Sequence, residues 1–592
     1  MDSLMKKRWI ALLLCCSMLL SVCTGCNVSS LLWMMRLLGE TTEQSSVAFP
    51  EELPSSSAAP AETPSSSEAP SASEPAVEWK DYFPDDVWRA DVNFSEVEYE
   101  HYELVWLEEL STQLVEAVAA DPTIATFNEQ DSEFLWELYY IYTMYVRIEL
   151  DYMADPHAPG VQEEYAYAET VWYDAYEIYW ETMRDVAREH PEIMAEAYAD
   201  WQIEMFAEYE PGDGTDTELF LRESELVQEY YVLIDESYPD YSAICEVYVE
   251  LVALRKEIAA YYGYDTYAEY AYDSVYYRDY TPEDVQAIWD VVKTDVAPVL
   301  WEHAYYGSDV YGLDYSPKAI LLAMDGALWD FSPEVYEAFC YMLEYKLFDI
   351  EYSESKVEIG YTTELPALNQ PFIFNSPYGE WYDYTTMFHE FGHFLSSYYA
   401  PGDLFFGAPD NDLCELQSQG MEVMFTQWYE EIVGSGNVPA AERALLVNLL
   451  GSIQQGAMYD EFQQRVYSEE NLTADKVTEI FKDVYRAYGG PVYAGYEYEW
   501  ATVLHNFEFP FYYISYGVSA IPALEIYAEL QQDPAAAVDT YLTVAAMDPK
   551  MWYFAEAMEE AGLRDVFDAA TIAYVAEAAG KALTEARYGR IN

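Results

Sequence analysis

Apolar residues recur every three or four positions along most of the chain beyond residue 79, and acidic residues fill many of the positions between them. In the stretches 134–153 and 165–187, this spacing places the apolar side chains along one side of a helix. A helix start is predicted at Thr281 and Pro282, with the threonine as N-cap and the proline in the first turn. Strand-like alternation is scarce, and the clearest β-like run is 371–374. The pattern therefore predicts an all-α, mainly helical protein with a small β element.

The N-terminus has the pattern of a secretory signal. Three basic residues at positions 6–8 precede the apolar run 10–22, which is too short for a comfortable membrane span. The sequence that follows resembles a bacterial lipoprotein signal, in which Cys26 is lipidated and becomes the new N-terminus. Cys23 stands where such signals usually carry leucine, so plain secretion is the alternative. We expect residues 1–26 to be a lipoprotein-type signal peptide and the protein to be lipid-anchored on the extracellular face of a bacterial envelope.

Composition divides the rest of the chain. Residues 41–78, which make up most of the segment 27–78, are rich in Ser, Ala, Pro and Glu, a composition that buries too little apolar surface to order itself. We expect this segment to be a disordered tether. The rest of the chain is too long for one small hydrophobic core, so we expect two regions. These are an N-terminal helical region over 79–350 and a C-terminal region over 351–592.

The charge of the chain excludes one class of partner. It carries 108 acidic and 27 basic residues, and its formal net charge is −81. Such a surface repels phosphate backbones, so we expect no nucleic-acid binding. It also repels anionic lipid, which leaves the lipid anchor as the expected membrane attachment. The few widely spaced cysteines predict neither a disulfide framework nor a cysteine-based zinc site.

The segment 389–393 carries the strongest chemical signal in the sequence. It reads His-Glu-Phe-Gly-His, and on a helix two histidines four residues apart lie on one face. His389 and His393 are therefore predicted to bind one zinc ion, with Glu390 beside it as the general base that takes a proton from water. The plain alternative is a buried helical pair of histidines with satisfied hydrogen bonds.

A catalytic zinc needs a third protein ligand, and the candidate is Glu415, 22 residues after His393. A loop of this length lets a second helix return against the first, with Asn411 or Asp412 as its cap. Glu422 lies two turns beyond Glu415 on the same face and is suited to orient a ligand histidine through its second ring nitrogen. The alternative is a solvated acidic face, which is common in so acidic a chain.

Several segments together resemble the thimet oligopeptidase and oligoendopeptidase F family of zinc metallopeptidases. They cover roughly residues 240–525 and comprise 262–267, 278–281, 360–363, 371–374, 383–393, 415–418 and 505–516. The spacing between His393 and Glu415 is closer to the bacterial oligoendopeptidase branch. A lipoprotein leader departs from this mainly cytosolic family. The resemblance implies two helical lobes of the zincin type around a deep central channel.

The resemblance also implies roles for residues that the pattern alone would assign to the core. His505, Tyr513 and Tyr516 are similar to the family's downstream His/Tyr cluster, which would stabilise the oxyanion of the tetrahedral intermediate. The segments 360–363 and 371–374 resemble the edge strand that lies along bound peptide. From this we expect 372–374, which are Phe372, Ile373 and Phe374, to pair with extended substrate.

The sequence thus predicts a secreted zinc endopeptidase with one Zn2+ per chain, acting on short peptides. The region 351–592 would carry the zinc site. A non-catalytic peptide-binding lipoprotein on the cell surface is one alternative, although an intact motif argues against it. A zinc carboxypeptidase of similar helical fold is another.

Overall fold

The computed structural model describes residues 82–84, 87–209, 215–234, 238–304, 310–400, 405 and 409–588. The predicted signal peptide, the lipidation site Cys26 and the predicted tether 27–78 lie outside the described residues. The expected boundary at residue 350 stays a prediction.

Helices make up nearly all of the regular structure before residue 346. They are α1 (Val105–Ala120), α2 (Ile124–Ala154), α3 (Val161–Glu189), α4 (Pro191–Ala197), α5 (Asp200–Glu208), α6 (Thr215–Ile234), α7 (Tyr241–Tyr261), α8 (Tyr267–Tyr270), α9 (Pro282–Val291), α10 (Ala297–His303), α11 (Pro317–Trp329) and α12 (Pro333–Tyr345). Two π-helical turns, Ala271–Val275 and Val292–Val296, follow α8 and α9. The stretches 134–153 and 165–187 fall within α2 and α3, which confirms the helical periodicity.

Capping residues define several of these helix starts. Thr281 accepts a hydrogen bond from the backbone N–H of Asp284, and Pro282 occupies the first turn of α9. Because a threonine oxygen satisfies a backbone donor that has no partner inside the helix, it fixes where the helix begins. The predicted start of this helix is therefore confirmed.

A three-stranded sheet interrupts the helices: β1 (Phe348–Asp349), β2 (Gly360–Leu365) and β3 (Gln370–Asn375). The strand order is β1-β3-β2, with β1 parallel and β2 antiparallel to β3. The predicted β-like run 371–374 lies in β3, the central strand, while β2 is an edge strand. The sheet packs against the helix that follows it.

The remaining elements are again helical. They are α13 (Trp381–Tyr399), α14 (Asn411–Phe425), α15 (Tyr429–Val433), α16 (Val438–Ser468), α17 (Ala474–Ala487), α18 (Ile514–Leu530), α19 (Pro534–Ala545), α20 (Phe554–Glu560) and α21 (Ala569–Tyr588). Helix α14 packs against α13 on one side and α18 on another, and α18 also packs along α16. This arrangement brings α13, α14 and α18 together around the predicted site.

The protein is mainly helical with a small sheet, as the sequence predicts. Its buried apolar side chains form one continuous cluster that runs from Phe83 to Leu583. In the part of the chain that the structure describes, no helix combines the length and apolar character needed to cross a membrane.

Candidate active site and metal centre

Helix α13 carries the His-Glu-Phe-Gly-His segment, and Asp383 fixes its first turn. The Asp383 carboxylate accepts hydrogen bonds from the backbone N–H groups of Tyr378 at 2.8 Å, Gly379 at 2.7 Å and Glu380 at 3.2 Å. These donors have no partner within the helix, so the carboxylate stabilises its N-terminus. The helix then presents His389 and His393 on one face, with ring centroids 5.0 Å apart.

Helix α14 lies unusually close to α13 because Gly392 has no side chain. A Cβ atom at this position would stand 2.6 Å from the Ser418 Cα atom and 2.8 Å from the Gln417 carbonyl oxygen. The backbones of the two helices therefore touch between the two ligand-bearing turns. The cap of α14 is Asp410, whose side chain accepts from the Leu413 N–H. The predicted caps Asn411 and Asp412 are wrong by one or two residues, because the helix begins at Asn411.

Three side chains converge where these helices meet. His389, His393 and Glu415 each offer a ligand atom, and these atoms all lie within 4.8 Å of one another. His389 Nδ1 lies 2.8 Å from Glu422 Oε1, which leaves Nε2 facing Glu415, 3.5 Å from its Oε2 atom. A partner on one imidazole nitrogen fixes the tautomer in which the other nitrogen is a ligand.

His393 indicates that this cluster fits a metal ion. Its Nε2 atom is buried and has no hydrogen-bond partner among the described residues. Burial and the neighbouring His389 lower the pKa of His393 to about 4, so the ring is neutral at neutral pH. A neutral imidazole nitrogen without a partner, facing a second imidazole and a carboxylate, is the donor set that a divalent metal binds.

Glu390 lies beside this cluster and is fully buried. Its Oε2 atom accepts a hydrogen bond from the Thr362 hydroxyl at 2.8 Å, while Oε1 is buried without a partner among the described residues. Burial raises the pKa of Glu390 to about 7, against the smaller lowering by His389 and Thr362. A carboxylate with a pKa near the operating pH is suited to accept and return a proton.

The structure also brings His505, Tyr513 and Tyr516 together. The ring centroid of His505 lies 5.3 Å from that of Tyr513 and 5.9 Å from that of Tyr516. The Tyr516 hydroxyl is 3.4 Å from His505 Nε2, and the Tyr513 hydroxyl donates to Gln455 at 3.4 Å. Burial lowers the pKa of His505 to about 4, against the opposing effect of Glu415, so this ring is also neutral at neutral pH.

Tyr512 is a site residue that the sequence prediction did not assign. Its hydroxyl donates to Glu415 Oε1 at 3.2 Å, so it touches the predicted third ligand directly. It lies in the same 505–516 segment as the predicted tyrosines, but helical spacing favoured the pair at 513 and 516. Tyr512 precedes α18 instead of lying within it, and only the tertiary contact distinguishes it.

Arg278 joins the two segments that surround Glu415. This buried guanidinium lies 3.4 Å from Asp412 on α14 and donates to the Phe511 carbonyl oxygen at 2.9 Å and to the Ser515 hydroxyl at 2.8 Å. Asp412 is one turn before Glu415, and Phe511 immediately precedes Tyr512. Because a guanidinium donates in several fixed directions, Arg278 sets the position of both segments at once.

The expected substrate role of Phe372, Ile373 and Phe374 is wrong. All three side chains are buried, and their strand β3 pairs with β2 along one edge and with β1 along the other. A strand with both edges paired cannot accept another strand. Among the described residues, β2 is an edge strand whose outer edge pairs with no other strand, and three of its residues, 362–364, line a cleft together with His393.

A buried His-His-Glu cluster with an adjacent carboxylate, held on a mainly helical fold, defines a metallopeptidase type of site. Residues 323–568, which contain the whole cluster, match Peptidase family M3. This match confirms the resemblance that the sequence showed to this group of metallopeptidases, and it supports a peptide-hydrolysing metallopeptidase site within residues 323–568. No curated protein matches this chain significantly.

Solved structures share the fold over most of the chain. A protein assigned as an oligoendopeptidase F is 22% identical with a TM-score of 0.68, over 83% of this chain and 99% of its own. PZ peptidase A, solved with an inhibitor, is 21% identical with a TM-score of 0.67, over 83% of this chain and 99% of its own. A carboxypeptidase of Pyrococcus furiosus is 14% identical with a TM-score of 0.53, over 81% of this chain and 99% of its own.

Proposed function

We propose that this protein is a zinc-dependent endopeptidase that hydrolyses short peptides. The observation that carries the proposal is the convergence of His389, His393 and Glu415, with ligand atoms within 4.8 Å of one another. These three residues would hold one Zn2+, and Glu422 would keep His389 in the ligating tautomer. Two histidines and one carboxylate are a ligand set that catalytic zinc sites use.

The remaining side chains supply the proton transfer and the charge stabilisation. Held by His389, His393 and Glu415, a zinc ion would supply Lewis-acid chemistry: it would lower the pKa of a water and polarise the scissile carbonyl. Glu390 accepts the proton of the attacking water and returns it to the leaving amine. His505, with Tyr513 or Tyr516, donates a hydrogen bond to the negative charge that develops on the oxygen of the scissile carbonyl. Tyr512 holds Glu415 in its ligating position through the hydroxyl contact.

The burial of the site supports short peptides as substrates. His389, His393, Glu415 and His505 are each less than a tenth exposed. A folded protein cannot bring its backbone to groups this deeply buried, whereas an extended peptide enters a narrow cleft. Its backbone would add to the open edge of β2, which lines the cleft beside His393.

The test combines metal analysis with cleavage of an end-blocked, internally quenched short peptide, with and without chelator. We expect one zinc per chain and internal cleavage that chelator abolishes and added zinc restores. Glu390→Gln should keep its zinc and lose nearly all turnover. The matched control is Glu354→Gln, which removes an exposed carboxylate and should leave turnover unchanged.

An unblocked version of the same peptide, together with a measurement of peptide binding, separates the alternatives. Zinc without cleavage, combined with retained peptide binding, would favour the non-catalytic binding lipoprotein. Cleavage that requires a free C-terminus would favour a carboxypeptidase. Absence of zinc binding, or full turnover by Glu390→Gln, would contradict the proposed mechanism.

We further propose that the protein is anchored by lipid on the outer face of a bacterial envelope. This rests on the leader sequence alone. Expression with labelled fatty acid in a bacterial host tests it: the label should be lost in Cys26→Ser and retained in Cys23→Ser. Label retained in Cys26→Ser would contradict lipidation at this position.

A further inference from the structure

Strand β2 contacts Glu390 through the side chain of Thr362. The residue lies in the third position of the strand, where it pairs with Ile373, and it is 5% exposed. Its hydroxyl oxygen is 2.8 Å from Glu390 Oε2 and 3.0 Å from the Glu390 backbone carbonyl oxygen. The hydroxyl has one proton and two acceptors within reach, and both acceptors belong to the same residue.

This contact leaves the two carboxylate oxygens of Glu390 in different environments. Thr362 binds Oε2, and Oε1 has no hydrogen-bond partner in the part of the chain that the structure describes. A carboxylate held by one oxygen has a restricted orientation, and its other oxygen remains available as an acceptor. The carboxylate that would take a proton is therefore oriented by a neighbour outside its own helix.

The position of the hydroxyl is itself well defined. Strand β2 pairs with β3 over all six of its residues, from Gly360 opposite Asn375 to Leu365 opposite Gln370. Threonine is branched at Cβ and has few accessible χ1 rotamers, so a fixed backbone fixes the hydroxyl. A side chain whose own rotamer is restricted in this way is suited to hold a catalytic group in place.

We propose that Thr362 is a positioning residue for Glu390: it holds Oε2 so that Oε1 is presented to the attacking water. This inference rests on the proposed peptidase function. In the reaction, a water O–H bond breaks and its proton passes to Glu390 Oε1, while the water oxygen bonds to the scissile carbonyl carbon. The C–N bond then breaks, and Glu390 passes the proton to the leaving amine. The Thr362 hydroxyl keeps its own proton throughout. Strand β2 thus serves twice, because its open edge is the proposed substrate edge and its Thr362 side chain orients the base.

The test compares Thr362→Val, Thr362→Ser and a matched control in the zinc-loaded enzyme. Valine keeps the branched shape and removes the hydroxyl, whereas serine keeps the hydroxyl. The control is Thr182→Val, which removes another buried threonine hydroxyl, far along the chain in α3, where it donates to the Ile178 carbonyl oxygen.

We expect Thr362→Val to lower kcat on the order of 10- to 100-fold, the usual effect of removing such a supporting contact. Its KM should change by less than about twofold, since the contact acts on the base and not on bound peptide. Zinc content should stay at one per chain. Thr362→Ser should recover most of kcat, and Thr182→Val should match the wild type. In crystals of the metal-free proteins, the Glu390 carboxylate should keep one orientation in the wild type and leave it in Thr362→Val.

Three results would overturn the inference: unchanged kcat in Thr362→Val, equal loss in the valine and serine variants, or a loss confined to KM or to zinc binding. Failure of the proposed function is seen separately. In that case, the zinc-loaded wild type itself does not cleave the peptide, and Glu390→Gln is indistinguishable from it.

Discussion

Replacing Gly392 by alanine should separate the two helices that carry the proposed metal ligands. The added Cβ would lie 2.6 Å from the Ser418 Cα atom and 2.8 Å from the Gln417 carbonyl oxygen, whereas ordinary contacts begin at 3.4 Å. Both obstructing atoms belong to the backbone of α14 and cannot rotate away. The helices must therefore move apart by about 0.8 Å, since protein interiors hold no spare volume to absorb the methyl group.

This displacement changes the geometry of the proposed metal centre. His389 and His393 lie on α13 and Glu415 on α14, so their mutual distances change with the helix separation. Metal sites tolerate errors of about 0.2 Å in ligand distance. We therefore expect zinc affinity to fall by at least the roughly 10- to 100-fold that is typical of weaker perturbations. Overpacking should also cost about 1–3 kcal/mol of stability.

Chelator competition measures the zinc affinity, and thermal unfolding of the metal-free protein measures the packing cost. The matched control is Gly326→Ala in α11, where a Cβ atom meets nothing within 4 Å. That variant should keep its zinc affinity. Its free energy of unfolding should rise by about 0.5–1 kcal/mol, because alanine loses less backbone entropy than glycine when the helix forms. Wild-type zinc affinity in Gly392→Ala would refute the reasoning.

Three further predictions address other parts of the molecule. Tyr512→Phe removes the donor to Glu415 and should lower zinc affinity up to about tenfold in chelator competition, with unchanged affinity as the contradicting result. Arg278→Lys keeps the charge but cannot donate in all directions of the planar guanidinium, so turnover should fall about tenfold in a folded protein; full turnover would show that this link does not matter. Burial raises the pKa of Asp131 to about 7, although the hydrogen bond from Tyr198 lowers it by a smaller amount. Protonated Asp131 therefore stabilises the folded protein fully below about pH 4, and this stabilisation is lost as the pH rises through 7. In Asp131→Asn, the melting temperature should therefore fall less steeply between pH 5 and pH 8 than in the wild type. A fall as steep as that of the wild type would contradict this.

The parts of the site that the sequence predicted are those in which the chemistry is local. Two histidines four residues apart lie on one face of any helix, so the pair at 389 and 393 needs no tertiary information. The same holds for the helices of the 134–153 and 165–187 stretches and for the start at Thr281. Their spacing follows from 3.6 residues per turn and from backbone donors that need a cap.

Site residues that lie far from the histidine pair in sequence could be identified only from the family resemblance or from the structure itself. Glu415 is one of 108 acidic residues, and only its contact with α13 distinguishes it as a ligand candidate. The predicted pairing of residues 372–374 with substrate failed for a related reason. The sequence places strand-forming residues at 371–374, but it does not show which strand of the sheet lies at an edge. In the structure, β3 pairs with both β1 and β2, so β2 is the edge strand beside the site.

The sequence by itself determined the helical class, the paired histidines and the carboxylate beside them, because each follows from spacing within a few residues. The tertiary structure decided which distant groups meet that helix. Thr362 reaches Glu390 from 28 positions away, and Arg278 reaches Asp412 from 134 positions away. Such contacts depend on how helices and strands pack, and the identity of a single residue does not predict that packing.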